Sequence, residues 1–134
     1  MVLRLKSLVF ALLLLLVPVM GCELEEEISD YYNFKVMSSN GDFSGYYSVD
    51  GEPFQYFGGE PVTATIYYSY ETNLSAPSSV LISVTADTAA TAVSIYVYAN
   101  TQLVADITTT QTYDSGGTPL AITTTLTHDF TTSE

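Results

Sequence analysis

The chain has 134 residues, with 15 aspartates and glutamates against 3 lysines and arginines, one histidine, one cysteine and no tryptophan. A surface this acidic repels phosphate backbones, which excludes nucleic acid as a partner. The length suits one domain with one core.

Arg4 and Lys6 precede an oily run from Leu8 to Val17, and Pro18 and Gly21 follow it. This is the three-part layout of an export signal. A membrane-crossing helix needs about 18 or more apolar residues, and this run is shorter and stops at a proline, so removal is expected. A lone cysteine in an exported chain would ordinarily imply a free thiol or an intermolecular disulfide. The sequence Val19-Met20-Gly21-Cys22 instead resembles the lipobox of bacterial lipoproteins, with an aliphatic residue three positions before the cysteine and a small one just before it. Met20 departs from the small or β-branched residue usual there. The resemblance implies that the Cys22 thiol accepts a diacylglyceryl group, that a peptidase cuts after Gly21, and that the new amine is open to acylation by a fatty acid such as palmitate. Buried acyl chains contribute about 0.8 kcal/mol per methylene, so two or three chains hold a protein stably on a membrane. In enteric lipoproteins an aspartate after the cysteine retains the protein at the inner membrane. Glu23 stands there instead, so the outer membrane is preferred over the inner or cytoplasmic one.

Residues 1–21 are thus read as a signal peptide and residues 22–30 as an acidic tether. Glu23-Leu24-Glu25-Glu26-Glu27 is kept extended by self-repulsion and solvated. After processing, Lys35 alone faces all fifteen acidic side chains.

From Tyr31 to the end the apolar period is two, which predicts eight short strands. Tyr31 to Met37 places Tyr32, Phe34 and Val36 on one face, and Asn40-Gly41 then closes a hairpin. Phe43 to Val49 aligns Phe43, Gly45, Tyr47 and Val49, and Asp50-Gly51 closes a second hairpin. A short strand lies around Phe54 to Phe57. Val62 to Tyr70 follows with Val62, Ala64, Ile66, Tyr68 and Tyr70 in phase, and Glu71 to Ser78 is irregular. Ser79 to Ala86 buries Val80, Ile82, Val84 and Ala86. Val93 to Ala99 buries Val93, Ile95, Val97 and Ala99. Gln102 to Thr110 and Leu120 to Phe130 complete the set.

Short alternating strands with glycine and proline turns predict an all-β fold over residues 31–134, an antiparallel β-sandwich of seven or eight strands, with a small β-barrel as the alternative. The series Phe34-Lys35-Val36, Gly45 to Gly51, Val80 to Ala86 and Ser94 to Ala99 is similar to the extracytoplasmic domain of the small membrane proteins that accompany RND-type exporters in mycobacteria. Those are non-catalytic sandwiches with a retained membrane helix. This chain has a lipobox in its place, and no functional residue carries over.

The inventory leaves no catalytic residue to nominate. His128 and Asp129 are adjacent in a strand and point to opposite faces, and His128 shares its phase with Leu126 and Phe130, as a structural histidine would. No serine sits in a nucleophile elbow, and no histidine pair or cysteine cluster has zinc spacing. No metal and no cofactor is expected. Asn40-Gly41-Asp42 and Asp50-Gly51-Glu52 are oxygen-rich, but they read as turns before calcium loops.

Tyrosine is the unusual excess, at eleven residues. Tyr46, Tyr67, Tyr96 and Tyr98 fall opposite the inferred core, with Tyr96 and Tyr98 on one face of one strand. Aromatic bodies with hydroxyl tips suit recognition, and they are also good strand formers. The reading is therefore a non-enzymatic, membrane-anchored domain that binds an envelope protein or polymer. A structural or surface-coat lipoprotein and a small-ligand or lipid carrier are the alternatives.

Overall fold

A computed structural model of the chain describes residues 30–62 and 67–130. Lipidation at Cys22, the cleavage after Gly21 and the tether as far as residue 29 lie outside the described residues, as do Ala64 and Ile66. No helix among the described residues is long and apolar enough to cross a membrane.

Nine strands are described: β1 Tyr32–Ser39, β2 Phe43–Val49, β3 Gln55–Gly58, β4 Glu60–Val62, β5 Tyr67–Leu74, β6 Ser79–Ala86, β7 Ala92–Ala99, β8 Gln102–Thr110 and β9 Ile122–Asp129. They form two antiparallel sheets, in the orders β4-β5-β1-β7-β8 and β3-β2-β6-β9. The fold is a β-sandwich, and the alternative of a closed barrel is set aside.

The core follows the predicted alternation along β1, β6 and β7 except at Ala99, which sits at the β7 end beside the turn and is only half-buried rather than buried. Val80, Ile82, Val84 and Ala86 of β6 meet Phe34 and Val36 of β1 and Val93, Ile95 and Val97 of β7, all at most 1 % exposed. An aromatic cluster fills one side. Phe34 packs edge-on against Tyr47 at 5.0 Å, and Phe57 stacks on Tyr70 at 4.3 Å. Gly45 makes room for this cluster, because a Cβ there would stand 2.6 Å from both the Phe57 ring and the Ser83 carbonyl oxygen. Along one side of the sandwich β8 and β9 approach each other, and the hydroxyls of Thr109 and Thr124 share a hydrogen bond between the sheets.

Three expectations are corrected. The predicted strand Val62 to Tyr70 is two strands, with β4 paired to β5 so that Val62 opposes Tyr67. Direct partners share a face, so Val62 stands on the outer surface with Tyr67 rather than in phase with Tyr68 and Tyr70. The span Glu71 to Ser78 is regular as far as Leu74, whose side chain is buried. Asn40-Gly41 closes no hairpin, because β1 and β2 belong to different sheets. Asn40 does take positive φ, 62°, but the turn is an arch between sheets. Gly41 lies so close beneath Ala90 that a Cβ would meet its nitrogen at 2.6 Å.

Asp50-Gly51, with φ of 53° and 76°, closes the β2–β3 hairpin as expected. The β7–β8 hairpin turns on Asn100 and Thr101, both at positive φ, 51° and 67°. That matches the type I′ geometry favoured by strand twist.

Candidate functional site

The outer face of the five-stranded sheet carries Tyr96 and Tyr98. On β7 they alternate with the buried Ile95 and Val97, and β1 and β8 pair with β7 on its two edges. The register then decides their company. Tyr96 opposes Lys35 of β1 and Asp106 of β8, and Lys35 in turn opposes Glu71 of β5. Tyr98 opposes Asn33 and Leu103, with Asn73 beyond Asn33. Two polar rows, Glu71-Lys35-Tyr96-Asp106 and Asn73-Asn33-Tyr98-Leu103, therefore lie side by side. An extra residue, Val104, is absorbed by a bulge opposite Val97 and Tyr98, which keeps Leu103 on this face.

Asn33 is the polar pivot of the surface. It is only 6 % exposed, its Nδ2 donates to Glu71 Oε1 at 2.7 Å, and its Oδ1 has no partner among the described residues. Tyr31 donates its hydroxyl to Asn73 Oδ1 at 2.6 Å. Lys35 is the only cation within the described residues. The face thus offers both charge signs, amides and two half-buried phenols in one plane.

The four tyrosines singled out by period do not form one surface. Tyr67 is on the same outer face, 43 % exposed, but it opposes Ser39 at the far end of β1. Tyr46 is on the outer face of the other sheet, where it opposes Tyr56 and Ser83. There it joins two rings that period-two reasoning did not single out, Phe54 and Tyr56, at centroid distances of 4.8 and 6.1 Å. The available signal was Phe57: once its side chain is assigned to the core, Tyr56 must point outward.

His128 packs edge-on against Phe130 at 4.7 Å, and Phe130 against Tyr32 at 4.9 Å, so the imidazole belongs to a stack at the sandwich end. The acidic turns are committed locally. Asp50 Oδ1 accepts from the Ser78 and Ser79 amides at 2.8 and 2.7 Å, and Asp42 Oδ1 accepts from the Phe43 amide at 2.8 Å. No group of three metal-ligating side chains occurs among the described residues. Asp114 anchors the β8–β9 loop by accepting from the Gly116 and Thr118 amides at 2.8 and 2.9 Å. The Thr118 and Gly116 amides hold its carboxyl below the ordinary value of 3.8.

No protein-family model matches the chain, and no curated protein matches it.

Proposed function

We propose that the chain is a lipid-anchored, non-enzymatic β-sandwich that docks a protein of the cell envelope on the outer face of its five-stranded sheet. The observation that carries the docking reading is the pair of adjacent rows around Tyr96 and Tyr98, which presents phenols, amides and opposite charges on a rigid plane. Aromatic rings give large contact area at small side-chain entropy cost, and mixed polar groups supply registration. The anchoring reading rests on the export signal and on Gly21-Cys22.

Position along the chain supports the same picture. Asp30 sits at the end of the sandwich that also holds the 50–52 turn, the 100–101 turn and Phe130. It stands eight positions after Cys22, and these eight steps set the length of the connection. They reach at most roughly 28 Å when extended, so this end stays near the lipid surface. A carrier would need a lumen, and here the two sheets stay open at their edges while Phe34, Phe57 and the β6 and β7 aliphatics fill the space between them. A coat would fit threonine-covered faces, which describes the β8 and β9 side alone.

Photocrosslinking in native membranes tests the reading. A benzophenone side chain at position 96 is expected to yield one discrete protein adduct, and one at the exposed Thr125 of the other sheet none. Absence of any adduct at position 96, or equal adducts at both, would count against the docking face.

A further inference from the structure

The outer face of the four-stranded sheet is divided in two. On the β3 and β2 side stand Phe54, Tyr56 and Tyr46, with Tyr46 held edge-on by Phe54 at 4.8 Å. Tyr56 is 79 % exposed and Phe54 54 %, so the fold draws little burial from either ring. On the β6 and β9 side the same face is hydroxylated. Ser83 and Thr125 continue the row that begins with Tyr56 and Tyr46, and the Ser83 and Thr125 hydroxyls bond each other at 3.0 Å. A groove of about 480 Å³ crosses the face beside Phe54, lined in part by Pro53, Leu81 and Thr127. Glu52 and Asp129 also line it, and neither carboxylate makes a side-chain hydrogen bond among the described residues.

We infer that this face binds a neutral polysaccharide. A pyranose has a C–H face of partial positive charge and a rim of hydroxyls. The C–H face packs on the negative π face of an aromatic ring, and the hydroxyls donate to carboxylates and exchange hydrogen bonds with serine and threonine. Rings with the Glu52 carboxylate on the β2–β3 half, and the exposed Thr125 and Thr127 hydroxyls with the Asp129 carboxylate on the β9 half, match that division of a sugar. Charge narrows the class. Glu52 and Asp129 repel uronic acids and phosphate-bearing polymers, and the only cation of the described residues, Lys35, is on the opposite sheet. The contact between Tyr46 and Phe54 presets the platform, so little side-chain freedom is lost on binding. The surface is separate from Tyr96 and Tyr98 and does not depend on a protein partner there.

Affinity electrophoresis of the mature, lipidated protein in detergent decides the matter, with mixed-linkage β-glucan, mannan or dextran as neutral probes and polygalacturonate as the anionic one. Retardation by at least one neutral glycan and none by polygalacturonate is expected. Tyr56→Ala and Phe54→Ala should each weaken that binding about tenfold or more, while Tyr96→Ala with Tyr98→Ala leaves it unchanged. Unretarded migration in all three neutral glycans would overturn the proposal, and so would retardation by polygalacturonate or retardation that survives both Tyr56→Ala and Phe54→Ala. Because Tyr56 is so exposed, its truncation leaves the fold intact, and the wild-type result stands without any variant.

Discussion

Ile82, Val84, Ile95 and Val97 have no exposed surface, and each faces the opposite sheet. Truncation of any one to alanine should cost about 2 to 5 kcal/mol in denaturant unfolding, through lost burial and a residual cavity. Gly45→Ala should cost about 1 to 3 kcal/mol for the opposite reason, since its Cβ would be forced against Phe57 and a backbone oxygen. The four aliphatics were legible because strict alternation leaves them no other face. The role of Gly45 was not, because period marks which side a residue faces and not what lies 2.6 Å away. Asp114 yields a prediction in pH. Its folded pKa is depressed below 3.8, so its contribution is present above that value and lost as pH falls through the lower folded value. Amide resonances of Gly116 and Thr118 should hold steady from neutrality to about pH 4 and shift together below it, and Asp114→Asn should abolish the step.

At the scale of the element, the turns divide legible from illegible structure. Asx-Gly reports a backbone that takes positive φ, and both Asn40 and Asp50 do so. It does not report which strand comes next as a neighbour, so one pair made a hairpin and the other an arch between sheets. The β7–β8 turn carried no glycine at all. Thr101 is held at φ 67°, a costly conformation for a β-branched residue, and Thr101→Gly should therefore stabilise the hairpin by about 0.5 to 1 kcal/mol once the backbone entropy of glycine is subtracted. Thermal melting of that variant checks the sign. The candidate surfaces were half legible on the same grounds. Tyr96 and Tyr98 follow from alternation within one strand, whereas Phe54 and Tyr56 become neighbours of Tyr46 only through the pairing of β2 with β3.

For the whole molecule, charge and surface division dominate. Fifteen acidic side chains stand against three lysines and arginines in the full sequence, and Lys35 is the only cation among the described residues, so self-repulsion opposes the compact state. Raising salt from about 10 to about 150 mM shortens the screening length from roughly 30 to roughly 8 Å, and the melting temperature of the sandwich should rise with it. The sandwich itself was legible from strand number and period, while the assignment of strands to sheets depended on non-local pairing that alternation does not encode. The central claim, that the phenols of the five-stranded sheet serve recognition and not folding, is tested most directly by the double variant Tyr96→Ala, Tyr98→Ala in the full chain expressed in its native cells. Its thermal melting curve should overlay the wild type to within a few degrees, while the adduct formed in native membranes by a lysine-directed crosslinker at Lys35 disappears. A variant that unfolds, or one that melts normally and still forms the adduct, would contradict the account.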